Sequence, residues 1–190
     1  MGGPAAGLWL TERRSAVEAV PWLAEFCEIR AEGDDSVEFA LRDPSVLGLP
    51  GLDVSSLCPF QLGPEPLDDD EYFGFPGLDH PPVTALYVVA YCSGRENHLA
   101  LGHLVRFLAE RFDALIDFNG LLGYCRPFTG LSAEEEAAGL AEARAFVSTL
   151  PGRTWQLPYA TSDGGRWYGH IGDVEFLTAW LAHPEFRMVK

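Results

Sequence analysis

The stretch of sequence that decides the fold runs from Thr84 to Leu122 and reads TALYVVAYCSGRENHLALGHLVRFLAERFDALIDFNGLL. Its first part, 85–91, is a β-branched and aromatic run that predicts a buried strand. Ser93 and Glu96 fit a capping box. The apolar residues that follow recur at helical spacing and form one stripe: Leu101, Leu104, Val105, Leu108 and Phe112. A second strand is predicted over 115–119, so this stretch is predicted to be a strand, an amphipathic helix and a strand.

The first forty residues repeat the same pattern on a smaller scale. The apolar run 5–10 predicts a first strand, and 37–41 predicts a second one. Between them, Ser15 and Glu18 fit another capping box ahead of residues at helical spacing. Pro21 interrupts that helix, so the helix either starts at Pro21 or is kinked there.

The C-terminal third predicts two more helices and a hairpin. Ser132 and Glu135 form a third capping box at the start of a helix. The segments 154–160 and 167–171 read as two strands across an SDGG turn. Asp173 can cap a last helix, and 186–189 is predicted to add an edge strand.

These patterns predict an α+β fold in which two β-α-β-type units surround a mixed, largely antiparallel sheet with helices packed on it. The length of 190 residues suits a single domain, 1–190. Within it we distinguish a first β-α-β unit (1–42), an acidic, proline-rich loop region (43–82) and a main α/β unit (83–190).

The net charge of the chain limits the classes of partner that we expect it to bind. The chain carries 28 acidic and 13 basic side chains, a net charge of −15. Such a field repels nucleic-acid phosphates and anionic membrane surfaces and attracts cationic partners. We therefore expect a basic protein partner, with no nucleic acid and no membrane.

The four cysteines, Cys27, Cys58, Cys92 and Cys125, form no CxxC pair. They are predicted to be free thiols buried in the core, as is usual in a reducing cytosol. The N-terminal residues lack the basic region and apolar run of a signal peptide, and no apolar run is long enough for a membrane helix. The sequence therefore predicts a cytoplasmic protein.

The acidic loop region supplies the candidate site. No Lys or Arg occurs from Asp43 to Gly94, and most of that stretch is too rich in proline for a long helix. Its core is predicted to bind a partner, with carboxylates pairing with basic side chains and rings anchoring the contact: Asp68, Asp69, Asp70, Glu71, Tyr72, Phe73 and Asp79. Two other readings stay open, a solvated acidic loop and a Ca²⁺ or Mg²⁺ site, although the spacing does not match a calcium-binding loop.

Catalytic motifs are absent from the sequence: there is no GxSxG, GxxxxGK[ST] or GxGxxG. His98 and His103 stand five apart on the central helix, which misplaces them for shared metal ligation, and both are predicted to be surface or interface histidines. Cys92, between a strand and a helix N-terminus, is the one thiol placed for a lowered pKa. We therefore predict no catalytic residue, no metal and no cofactor, with a small metal- or thiol-dependent enzyme or a structural subunit as the alternatives.

Three C-terminal motifs carry a resemblance to a known family: LIDFNG (115–120), YGHIGD (168–173) and WLAHPEFRMVK (180–190). In these motifs the chain resembles an uncharacterised protein family of GC-rich actinobacteria, which is similar in outline to small cytosolic immunity proteins of bacterial toxin systems. The resemblance implies a mixed α/β fold and a toxin-neutralising or other protein-binding role. The leading hypothesis is an immunity-type inhibitor of a basic toxin or nuclease.

Overall fold

The computed structural model describes residues 2–67, 72–123, 131–162 and 164–189. Within these residues the chain forms eight strands and four α-helices: β1 (Ala5–Leu10), α1 (Val20–Leu23), β2 (Cys27–Glu32), β3 (Val37–Leu41), β4 (Phe60–Glu65), β5 (Thr84–Ala90), α2 (Arg95–Phe112), β6 (Leu115–Asp117), α3 (Ala133–Val147), β7 (Thr154–Ala160), β8 (Arg166–Gly172) and α4 (Val174–Leu181). Short 3₁₀ turns occupy Ala16–Ala19, Pro44–Leu47 and Val54–Ser56.

The eight strands form one sheet in the order β2-β3-β4-β5-β1-β6-β8-β7. Every neighbouring pair in it is antiparallel. The predicted α+β class is therefore confirmed, and the sheet is antiparallel throughout its pairings rather than mixed. The central unit β5-α2-β6 straddles β1, because β1 lies between β5 and β6 and is antiparallel to both.

The main core lies between the sheet and the helices. The predicted stripe of α2 is buried along its whole length, from Leu101 to Phe112. α4 packs closely on α2 at Gly102, where an added Cβ would lie 2.8 Å from the Leu181 Cδ2 atom. A glycine at this point of α2 therefore sets how near the two helices approach.

Two of the three predicted capping boxes are confirmed. Ser15 pairs with Glu18, and Ser132 pairs with Glu135, each with both reciprocal hydrogen bonds. The third prediction is wrong, because α2 begins after Gly94, whose φ of 125° places it outside the helix, and Ser93 makes no cap. Asp173 caps α4 as predicted, accepting a hydrogen bond from Phe176 N at 2.9 Å.

Two strands were not predicted, β2 and β4. The helical spacing of the first predicted helix extends to Cys27, whereas in the structure α1 ends at Leu23 and Cys27 is the first residue of β2. β4 lies inside the predicted loop region, and its Pro64 disfavours a strand in the sequence. In the sheet, β3 pairs with β4 only as far as Leu62, so Pro64 has a strand neighbour on one side only.

The C-terminal residues do not form the predicted edge strand; 186–189 has no strand structure. Single hydrogen bonds hold this segment instead. Ala5 N donates to Val189 O at 3.0 Å, and the Trp180 indole donates to Arg187 O at 3.2 Å. The segment lies across the start of β1 without joining the sheet.

Within the described ranges, no helix combines the length and the apolarity that crossing a bilayer requires.

Candidate functional site

The face of the sheet opposite the helices carries a small aromatic core of its own. Trp9 of β1 is buried there, with the ring of Tyr72 at 5.1 Å and that of Phe75 at 5.2 Å, both edge-on. The segment that follows the acidic run therefore folds back over the sheet. Its half-buried Leu78 packs against the same cluster, so 72–78 is fixed to the scaffold by burial.

A left-handed turn decides which ring of this segment faces solvent. Phe73, Gly74 and Phe75 have φ values of 52°, 73° and 53°. Positive φ is ordinary for glycine but rare for a bulky residue. The turn buries Phe75, which is 2% exposed, and leaves Phe73 41% exposed. Strain of this kind is found at binding and catalytic sites more than elsewhere.

Arg166 of β8 covers one side of the exposed ring. Its guanidinium carbon lies 4.1 Å from the centre of the Phe73 ring, within the range of a cation–π contact. Phe73 is thus held between a strained turn and a cation that comes from the distant hairpin.

The predicted partner-binding residues fall into two groups. Asp68, Asp69, Asp70 and Glu71 lie outside the described residues. Tyr72, Phe73 and Asp79 are described, and each has a different environment. Tyr72 is half-buried against Trp9, Phe73 is exposed, and Asp79 is exposed on the surface after the turn.

A cavity of about 690 Å³ opens between the first half of α3 and the β7–β8 hairpin. Among the described residues, its walls are small and apolar on the helix side and aromatic on the hairpin side, with one carboxylate and one guanidinium: Ala133, Glu136, Ala137, Leu140, Tyr159, Thr161, Gly165, Arg166, Trp167 and Tyr168. The volume falls in the range of ligand-binding clefts. Arg166 joins this cavity to the Phe73 ring, so the two features form one continuous surface, which we call the aromatic surface.

A second cavity of about 210 Å³ lies beside the first, and Tyr159 lines both. The ring of Tyr72 lies 6.5 Å from that of Tyr159, and the buried Asp117 forms part of the floor. The Asp117 Oδ1 atom accepts a hydrogen bond from Asn119 N at 2.8 Å, which fixes Asn119 at a φ of 55°. Asp117 therefore shapes the strand end, in addition to giving the floor a carboxylate.

The histidines of α2 serve the fold. His103 Nδ1 donates to Leu47 O at 2.9 Å, and burial is the main cause that lowers the pKa of His103. His98 Nδ1 accepts from Met188 N at 3.1 Å. Each ring connects α2 to another segment. Among the described residues, no group of three or more His, Cys, Asp or Glu side chains is arranged to hold a metal ion.

The cysteine prediction is wrong for two of the four residues. Cys58 and Cys92 form a disulfide, with their Cα atoms 5.6 Å apart. Cys92 is therefore not available as a thiol nucleophile, which removes the basis of the thiol-enzyme alternative. Cys27 is free, and burial raises its pKa to about 12, so it is unreactive. Cys125 lies outside the described residues.

Sequence reasoning missed the hairpin half of the aromatic surface. The hairpin itself was predicted, but its aromatic residues were interpreted only as strand residues. Arg166 comes to Phe73 from more than ninety positions along the chain, a contact that only the strand order creates. The usable signal was the concentration of rings at the hairpin ends, Tyr159, Trp167 and Tyr168.

The fold and the site together define an α+β protein with an eight-stranded antiparallel sheet, helices packed on it and an aromatic surface at the end of the β7–β8 hairpin. Among proteins grouped by sequence, the chain belongs to a family of unknown function, DUF6368, whose profile matches residues 2–190. No curated protein and no solved structure matches the chain.

Proposed function

We propose that this protein is an acidic protein-binding module that inhibits a basic partner in the manner of an immunity protein, with a toxin or nuclease as the partner. The exposed Phe73 ring carries the proposal. The ring is 41% exposed at a positive φ that is rare for bulky residues, with Arg166 against it. Exposed aromatic side chains of this kind anchor protein interfaces.

Charge supports the same class of partner. Acidic side chains outnumber basic ones by 28 to 13. Even if every basic side chain paired with one carboxylate, an excess of negative charge would remain for solvent or for a partner. Complementary charge speeds association with a basic protein and selects against acidic ones.

The acidic run that precedes Tyr72 in the sequence completes the proposed mechanism. Asp68, Asp69, Asp70 and Glu71 precede Tyr72 in the sequence, and Asp79 follows the turn. In an immunity-type complex these carboxylates would occupy the cationic site that a nuclease uses for phosphate. Phe73 would anchor the contact at its centre. The C-terminal motifs resemble an uncharacterised actinobacterial family that is similar in outline to immunity proteins of bacterial toxin systems, and this resemblance favours the proposed mode of inhibition.

The disulfide argues against the proposed cytoplasmic location. Bonds such as Cys58–Cys92 persist in oxidising compartments and are rare in a reducing cytosol. The protein is taken from the source cell under acid quench and its free thiols are counted. The count decides between a reducing cytoplasm and an oxidising compartment. A fully reduced protein supports the cytoplasm, and an intact bond contradicts it.

Replacing Phe73 and Asp79 tests the binding surface. The double variant Phe73→Asn, Asp79→Asn is expected to weaken partner binding at least tenfold, because it removes an aromatic anchor and a charge. Folding stability is expected to change by less than about 0.5 kcal/mol, since asparagine tolerates the left-handed conformation and both side chains are exposed. The partner is first captured from lysate of the source cell, identified and purified. Its dissociation constant is then measured at low and high salt.

A matched control separates the surface from the overall charge. Val46→Asn with Glu110→Gln also removes one exposed apolar side chain and one exposed carboxylate, on the helical side of the sheet. This control is expected to bind as the wild type does. Equal losses in the two double variants, or full binding by the Phe73–Asp79 variant, would contradict the proposed surface.

A further inference from the structure

We infer that the 690 Å³ cavity between α3 and the β7–β8 hairpin receives the guanidinium group of an arginine side chain from the partner. The inference rests on the proposed function, because a basic partner supplies the arginine. It adds a specific pocket and a specific side chain to a surface that was so far defined by Phe73 and by charge.

The hairpin wall of the cavity has the chemistry that binds a planar cation. Tyr159, Trp167 and Tyr168 are each half-buried, so each presents part of its ring to the cavity. The rings of Trp167 and Tyr168 have centres 6.3 Å apart and planes tilted by 56°, which gives two differently oriented faces. Aromatic faces attract cations through the ring quadrupole, and a flat guanidinium also stacks on them.

One carboxylate lies in the wall opposite the rings. Glu136 projects from α3 and is half-buried at the cavity. A carboxylate of this kind pairs with a guanidinium through two parallel hydrogen bonds. Rings on one side and a carboxylate on the other therefore favour arginine over any neutral group.

The cavity also has room for the stem of the side chain. Ala133 and Ala137 lie one helical turn apart and leave open space along α3, and Leu140 continues the same stripe. The aliphatic part of an arginine side chain packs on such a surface while its head remains polar.

Two arginines oppose a further cation here: Arg166 in the described lining of the cavity, and Arg144, whose guanidinium carbon lies 6.0 Å from the centre of the Tyr168 ring. Arg166 lies at the rim, where its guanidinium is engaged with the Phe73 ring at 4.1 Å. The contact shows that this surface already holds one guanidinium against an aromatic ring. Because Arg166 repels a second cation, its removal is expected to tighten binding, whereas removal of Glu136 is expected to weaken it.

The test uses the isolated chain with argininamide as the probe. Backbone amide shifts in an NMR titration are expected to change around Glu136 and Tyr168, with a dissociation constant in the millimolar range. Citrullinamide, which has the same shape without the charge, is expected not to bind. Glu136→Gln is expected to weaken argininamide binding roughly two- to fivefold, and Arg166→Gln to tighten it by a similar factor.

Glu142→Gln is the matched control, because Glu142 is an exposed carboxylate on the same helix outside the cavity. It is expected to leave the affinity unchanged. Equal binding of citrullinamide, equal losses in Glu136→Gln and Glu142→Gln, or no shift around the cavity would each overturn the inference.

The result of the argininamide test can be distinguished from the result of the test of the proposed function. If argininamide binds as expected while the Phe73–Asp79 variant keeps its partner, the cavity binds guanidinium and the proposed surface is wrong. If the variant loses its partner and argininamide does not bind, the surface stands and the cavity has no part in recognising arginine.

Discussion

Reduction of the Cys58–Cys92 disulfide is expected to lower the free energy of unfolding by about 4 kcal/mol. The two residues are 34 positions apart, and a loop of that length restricts the unfolded chain by roughly this amount in the chain-entropy treatment. Urea unfolding followed by tryptophan fluorescence, with and without dithiothreitol, measures the difference directly. A large decrease of the midpoint is expected in reductant.

The double variant Cys58→Ser, Cys92→Ser is the control for this experiment. It should unfold at the midpoint of the reduced wild type, and reductant should not move that midpoint further. If the oxidised and reduced wild-type proteins unfold at the same urea concentration, the bond adds no stability and the prediction is wrong.

The native structure is expected to survive reduction, because other contacts hold the same two ends. Cys58 lies just before β4 and Cys92 just after β5, two strands that pair over six residue positions. The buried Asn97 also joins the ends: its Oδ1 atom accepts from Cys58 N at 3.1 Å, and its Nδ2 donates to Ser93 O at 3.3 Å. Circular dichroism of the reduced protein at low temperature should therefore match that of the oxidised protein.

Some strands of the sheet can be predicted from the sequence, whereas β4, which brings Cys58 close to Cys92, cannot. The bounds of β1, β3 and β7 follow from local alternation and turn residues, and all three were predicted correctly. β4 was not, because Gly63 and Pro64 disfavour a strand. What makes it one is non-local: the ring of Tyr87 in β5 lies over Gly63, 2.9 Å from where a Cβ would be. Without β4, nothing in the sequence brings Cys58 to Cys92.

Of the candidate site too, one part could be predicted from the sequence and the other could not. Phe73 and Asp79 are predicted to bind a partner because they lie in one short segment whose composition is unusual. The cavity was not identified, because its carboxylate comes from α3 and its rings come from the hairpin. Such a site has no spacing in the sequence. It depends on the strand order, which places β8 between β6 and β7 and brings the hairpin end beside α3.

His170 carries the second large expected effect, which appears as the pH falls. The side chain is buried on β8, and its Nδ1 atom accepts a hydrogen bond from Leu122 N at 3.1 Å, so the neutral ring is the form that the fold binds. Burial, assisted by the charge of Arg144, lowers the pKa of His170 to about 4.

The sign of the effect follows from where the proton binds. The unfolded chain takes up this proton near pH 6.5, whereas the folded chain takes it up only near pH 4. The contribution of His170 to the free energy of unfolding is therefore fully present above pH 6.5. It decreases by about 3 kcal/mol in total as the pH falls towards 4.

Comparison with His170→Asn isolates this contribution from the titration of the carboxylates. The asparagine oxygen can still accept the Leu122 hydrogen bond, and the side chain does not titrate. The difference in free energy of unfolding between wild type and variant, from urea titrations at several pH values, is expected to shrink by about 3 kcal/mol between pH 7 and pH 4. Arg144→Gln should remove only the smaller part of that change with pH, since burial is the larger cause of the lowered pKa of His170. A difference that stays constant with pH would mean that the folded protein protonates His170 as readily as the unfolded chain does, and the Leu122 hydrogen bond would then not select the neutral ring.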